Sequence, residues 1–184
     1  MPALGASVQI VQVCLPEQQR ALHGLSLDYF KWLANQFEEH FKLSLTQLVG
    51  QSLDDYVAQT QQSFLQQSAD DGAFYLLRQG DDYIAMAGLR RLSGELAELK
   101  RFYLCPALRG QGYASMFLDF LIQRASHLGY KSLLLDSAPF MHEAHRFYLR
   151  QGFTRCQAYS GTEVPQLLQQ EWIFMQRDLS AVSA

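Results

Sequence analysis

Residues 96–137 read LAELKRFYLCPALRGQGYASMFLDFLIQRASHLGYKSLLLDS, and no other stretch limits the fold so strongly. Its first nine residues have the apolar, aromatic content of a strand. From residue 113 to 128, Met116, Phe117, Phe120, Leu121, Ala125 and Leu128 recur at three- and four-residue steps and give a helix one apolar face. Gly129 then supplies a stop. KSLLLDS, residues 131–137, is a short unbroken apolar run of the kind found in a strand buried on both faces. Two strands joined through a helix lie parallel, and the crossover is right-handed.

The rest of the chain extends this unit into a mixed sheet. SVQIVQV at 7–13 alternates apolar and polar residues, as a strand does. After Pro16, Phe30, Leu33, Ala34, Phe37 and Phe41 mark a helix. Beyond Gly50, Ser52 is placed as an N-cap for a second helix carrying Leu53, Tyr56, Val57, Thr60 and Phe64. The segment 68–72, SADDG, reads as a loop. Strands at 73–78 and 82–92 flank a hairpin turn in QGDD. A short helix over MHEAHRFYLRQ ends at Gly152, and strands follow around 153–159 and 172–177. The expected order is β-α-α-β-β-β-α-β-α-β-β, an α/β fold with a mixed central sheet flanked by helices.

Composition closes off several classes of function. A chain of 184 residues favours one domain with a full core. With 48% hydrophobic and 18% charged residues it fits a globular protein, not a disordered one. The net charge of -3 and the lack of a basic stripe argue against nucleic acid as a partner. No apolar run approaches a membrane span, and the N-terminal MPALGASVQIVQVC has no positive leader, so no membrane partner and a cytoplasmic location are expected. Cys14, Cys105 and Cys156 are few, odd in number and far apart, which suits buried thiols in a reducing compartment better than disulfides or a metal site.

The loop LRGQGYAS at 108–115 carries the chemistry. Glycines two apart let the backbone turn sharply, and a helix starting there offers N–H groups without partners and a positive dipole end. Both favour an anion, most often phosphate. A dinucleotide fold is one reading, since Gly110-x-Gly112 follows a strand and Asp136 ends the next one. Against it, Ser115 stands where a third glycine belongs, and residues 105–108 separate strand from loop. A helix entered through glycines with no ligand is the plainer alternative.

A third reading rests on resemblance. RGQGYA at 109–114 resembles the Arg/Gln-x-x-Gly-x-Gly/Ala motif of the GCN5-related N-acetyltransferases. The likeness runs through residues 98–153: the ELKR strand, Pro106, the LD strand end, then Ala144, Tyr148, Gly152 and Phe153. It implies a single N-acetyltransferase domain over residues 1–184, with the family's acyl-CoA N-acyltransferase fold. It also implies acetyl-CoA as the acyl donor, with no metal. Arg109, Gly110, Gln111, Gly112, Tyr113, Ala114 and Ser115 would hold the pyrophosphate. Phe102, Tyr103 and Leu104, on a strand beside the pantetheine arm, would line the rest, and the Leu104 N–H would face the thioester oxygen.

The same resemblance suggests who moves protons. Acetyl transfer to a primary amine needs a base for the amine, a donor for the thioester oxygen and an acid for the leaving thiolate. Glu98, eleven residues before Arg109, matches the family's catalytic glutamate, although pairing with Lys100 or Arg101 would give it a purely structural role. Tyr148 matches the family's acid and would also contact the cofactor; a core position beside Phe147 is its alternative. Met141 replaces the asparagine that many relatives carry, which removes one polar contact. His145 is a lesser candidate for proton transfer, expected as an ordinary exposed polar residue. The acceptor, a small-molecule or peptide amine, would be chosen by residues 22–67 and 159–171. Glu38, Glu39, Asp54 and Asp55 there would favour a cationic amine if they face it, and Tyr29, Phe30 and Trp32 would line a pocket or fill the core. A homodimer is compatible with the resemblance. A non-catalytic acyl-CoA-binding module is the alternative to an enzyme.

Overall fold

In chain order the elements are β1 (Val8–Gln12), α1 (Pro16–Phe41), α2 (Leu45–Val49), α3 (Leu53–Leu65), β2 (Gly72–Gln79), β3 (Asp82–Arg91), β4 (Leu96–Leu104), α4 (Tyr113–His127), β5 (Ser132–Ser137), α5 (His142–Arg150), β6 (Thr154–Cys156) and β7 (Ile173–Asp178). They come from a computed structural model that describes residues 7–66 and 72–180. The loop expected at 68–72 therefore lies, Gly72 apart, outside the described residues. The strands form one sheet in the order β1-β2-β3-β4-β5-β7-β6. It is mixed: β4 and β5 are parallel, while β1–β2, β5–β7 and β6–β7 are antiparallel. The parallel pair is the one the sequence predicts.

Two stretches depart from the expected order. The five-residue α2 was not foreseen; Ser44 caps its start by accepting from the Gln47 N–H, and Gly50 closes it at φ 73. The strand expected around 153–159 is only Thr154–Cys156. Beyond it, Tyr159 donates its hydroxyl to Glu98 of β4, as described below.

The chain forms two compact units. The first comprises Met1–Gly88 with Arg101–Phe117. Its core joins Leu22 and Leu25 of α1, Phe64 of α3, and Phe74, Leu76 and Met86 of the strands. The α1 start is tied by Gln18 Oε1, which accepts from the N–H groups of Cys14 at 2.8 Å and Leu15 at 2.9 Å. The second unit comprises Leu89–Lys100 with Leu118–Ala184. Leu118, Leu121, Leu133, Leu135, Phe153 and Met175 are its largest fully buried side chains.

β4 contributes to both units. Its register with β5 runs from Leu96↔Ser132 to Glu98↔Leu134, and the strand continues to Leu104. Just after the register ends, Arg101 adopts a left-handed φ of 51. That costs about 1–2 kcal/mol for a residue with a Cβ. It is offset by the contacts of the side chain: Nη2 donates to Thr60 Oγ1 at 2.6 Å, and the guanidinium lies 5.0 Å over the Phe30 ring. Arg101 is thus turned toward α1 and α3, away from the pairing with Glu98 that the sequence left open.

Candidate active site

The glycine loop belongs to the first unit. A short 3-10 turn, Pro106–Leu108, follows β4, and Arg109 is exposed after it. Its Nε donates to the Leu104 carbonyl at 3.3 Å, which ties the loop back to the strand end. Gly110 and Gly112 have φ of 78 and 86, values that an L side chain resists. A Cβ at either would meet nothing within 4 Å, so the loop is open on that side. The Met116 N–H donates to the Gly112 carbonyl at 3.1 Å, an early bond of α4. The N–H groups of Tyr113 and Ala114 lie ahead of it, in the first helical turn.

These features fit a pyrophosphate: glycine backbone, an open face, one exposed cation and the start of a helix of 15 residues. The neighbouring positions are fixed by packing. Tyr113 Oη accepts from Gln79 Nε2 at 2.7 Å, and the rings of Phe102 and Phe117 stack 5.7 Å apart. Leu104 is buried, and Tyr103 packs against Tyr29 with ring centres 6.0 Å apart. Burial pushes the Tyr103 hydroxyl up, so it remains a neutral phenol.

Glu98 lies in the second unit and is fully buried. Arg90 grips its Oε2 with Nε at 2.9 Å and Nη2 at 2.6 Å, and Lys100 Nζ stands 3.6 Å from the same oxygen. Oε1 accepts from the Tyr159 hydroxyl at 2.7 Å. Both cations also hold Glu163: Arg90 Nη1 at 3.1 Å and Lys100 Nζ at 2.7 Å. Arg90 Nη2 donates to the Gly161 carbonyl at 2.7 Å as well. Asp136, close by on β5, accepts from Trp172 Nε1 at 3.0 Å.

The charges in this network oppose one another. Burial pushes the Glu98 carboxyl above its usual range, against Lys100, Arg90 and the Tyr159 hydroxyl, which all favour the anion; Asp136 adds to the rise. Burial alone would lower Lys100, but Glu98, Asp136 and Glu163 outweigh it and its pKa is raised. Tyr159 is pushed far up by burial, Glu98 and Asp136, and stays protonated. Glu98 is therefore a carboxylate of raised basicity whose contacts with Arg90 and Lys100 are ionic.

Tyr148 sits on α5 in the second unit, buried, with its ring between Phe147 at 5.5 Å and Phe153 at 5.6 Å. His145, one turn earlier, is also buried, which corrects the expectation of an exposed polar residue. It shares a helix face with Tyr148, and its Nε2 lies 3.1 Å from Ser137 Oγ. Burial lowers its pKa, helped by His142 and Arg155, against a backbone hydrogen bond at Ala138.

The residues expected for the cofactor, Phe102 to Leu104 and Arg109 to Ser115, thus fall in the first unit, while Glu98 and Tyr148 fall in the second. Sequence reasoning missed Arg90, Tyr159 and Glu163. Tyr159 and Glu98 are 61 residues apart, and Arg90 and Glu163 are 73 apart, so no local spacing announces the network. Of its ion pairs only Glu98 with Lys100, two apart on one strand, was foreseeable, and it was named.

Comparison with known proteins places this geometry. The first unit's loop and the mixed seven-stranded sheet are those of an acyl-CoA N-acyltransferase fold. The PaiA N-acetyltransferase from Thermoplasma acidophilum, solved in complex with coenzyme A, superposes with a TM-score of 0.70 at 14% identity, covering 94% of this chain and 99% of that one. The family model of the acetyltransferase (GNAT) family matches residues 29–153. This chain belongs to that family. It is 25% identical over 167 residues to the uncharacterized N-acetyltransferase C1271.07c of Schizosaccharomyces pombe, covering 89% of this chain and 93% of the relative. It is 27% identical over 84 residues to the uncharacterized N-acetyltransferase YjgM of Escherichia coli (strain K12); that match covers 44% of this chain and only 50% of YjgM.

Proposed function

We propose that the protein transfers the acetyl group of acetyl-CoA to a primary amine of a small molecule or peptide, by direct attack in a ternary complex within a single catalytic domain. The observation that carries this reading is the loop from Arg109 to Ser115, whose two left-handed glycines leave an open face at the start of α4, suited to an anion. Its backbone N–H groups and the Arg109 cation hold the pyrophosphate. Phe102, Tyr103 and Leu104 line the pantetheine arm, and the continuation of β4 beyond its register with β5 supports that role. The Leu104 N–H stabilises the charge that develops on the thioester oxygen.

Glu98 is the final acceptor of the amine proton. An ammonium near pKa 10.4 cannot attack, and a carboxylate near 4.3 is a weak base for it; burial narrows that gap. Tyr148 supplies a proton, or a hydrogen bond, to the departing thiolate. The three cysteines are free thiols, which supports a reducing, cytoplasmic setting, but Cys14 is exposed and Cys105 and Cys156 are half-buried, not buried as expected from the sequence. Among the described residues no group of three His, Cys, Asp or Glu could hold a metal.

The enclosure of Glu98 by Arg90 and Lys100 favours a second reading, in which the carboxylate is structural and the protein only binds acyl-CoA. Glu98→Gln and Tyr148→Phe separate the two. On the enzymatic reading each lowers kcat by about a hundredfold or more while acetyl-CoA still raises the melting temperature of both variants. Unchanged turnover in both would remove these residues from the chemistry.

A further inference from the structure

We infer that Tyr159 is the residue that takes the proton directly from the attacking amine, handing its own phenolic proton to Glu98. This rests on the acetyltransferase reading above and adds a catalytic residue to it. Glu98 has no exposed side-chain surface, and its Oε2 is occupied by Arg90 and Lys100. A carboxylate so enclosed cannot touch an amine. Its other oxygen faces the Tyr159 hydroxyl at 2.7 Å, and Tyr159 is only half-buried. A phenol that donates its proton inward keeps lone pairs with which to accept a proton on the other side.

The surroundings suit such a transfer. The Tyr159 ring meets Phe174 edge-on, 5.5 Å away at 83°, which fixes the hydroxyl. Glu98, Asp136 and Cys156 are the titratable groups facing the phenol, and Arg90 and Lys100 face Glu98 from the other side. Asp136 is itself held by the Trp172 N–H. Glu163 pairs with both Arg90 and Lys100, so neutralising Glu98 leaves neither cation without an anion.

The step balances. The amine nitrogen attacks the thioester carbon and the N–C bond forms. The C–S bond breaks and its electron pair leaves with sulfur. The surplus proton on nitrogen passes to Tyr159 Oη as the tyrosine proton moves to Glu98 Oε1. Tyr159 ends unchanged, Glu98 neutral, and the proton returns to water by the reverse path.

The test uses the full chain with acetyl-CoA and three amine probes, spermidine, tyramine and lysinamide, read by thiol release. Tyr159→Phe keeps the ring and removes the hydroxyl. Expected are an acetyl-CoA thermal shift like that of the wild type, a fall of about a hundredfold in kcat/KM for the amine, and loss of the acid limb of the pH profile. Glu98→Gln should do the same, and the double variant should be no slower than the slower single one, because the two act as a unit. Wild-type kcat/KM and pH profile in Tyr159→Phe, with at most a lower Tm, would overturn the relay and leave a structural tyrosine. Losses that multiply in the double variant would overturn it too. No acetyl-CoA shift in the wild type, or no turnover with any of the probes, would instead overturn the reading beneath it.

Discussion

At the scale of single residues, the second unit solves a problem set by its own sequence. A glutamate near the start of β4 is fully buried, and an unpaired charge there would cost several kcal/mol. Arg90 and Lys100, one on each of two consecutive strands, meet that cost, and Glu163 balances the extra positive charge. His145 is handled differently. It is buried without a carboxylate partner in the contacts described, and burial lowers its pKa below the ordinary value of about 6.5. A lowered folded-state pKa means that the unfolded chain binds the proton more readily. Stability therefore falls as pH drops below about 6.5 toward the folded-state value. His145→Gln should flatten this fall: Tm measured between pH 7.5 and 5 declines less in the variant than in the wild type. An equal or steeper decline in the variant would mean that other groups set the acid sensitivity.

At the scale of elements, what was legible followed periodicity and punctuation. β4 runs over the residues expected of it, α4 starts at Tyr113 as expected, and the Ser52 cap accepts from the Asp55 N–H at 3.1 Å. These are local signals, each carried within a few residues. The shortened β6 and the burial of His145 were not legible, because neither follows from the pattern of the residues beside it. The same holds for the packing of β3 on α3. Gly88 ends the first unit's part of β3, and a Cβ there would stand 2.9 Å from Phe74 Cε1 and 3.2 Å from Phe64 Cζ. The two rings, 4.4 Å apart, are packed against each other and have little room to give. Gly88→Ala should cost about 1–3 kcal/mol in urea unfolding, without changing the acetyl-CoA shift. A variant as stable as the wild type would show that the rings can yield.

At the scale of the whole molecule, the residues proposed for the chemistry divide between the two units. The positions proposed for the cofactor lie in the first, and the buried Glu98 network and Tyr148 lie in the second. The proposed cofactor positions could be named from the sequence because they sit in one contiguous motif. Of the residues proposed to handle protons, only Glu98 and Tyr148 could be named from the sequence, since the distant partners of Glu98 come from β3 and from the segment after β6. The acceptor is still less legible, because the segments expected to choose it carry no motif. Everything depends on the loop at 109–115 holding coenzyme A. The most direct test is a thermal-shift titration of the protein with acetyl-CoA, run beside NADH. A ligand that binds only the folded state adds about 2.7 kcal/mol at a hundred times its Kd. The account predicts a rise in Tm with acetyl-CoA and none with NADH. No shift with acetyl-CoA, or a shift with NADH alone, would contradict it.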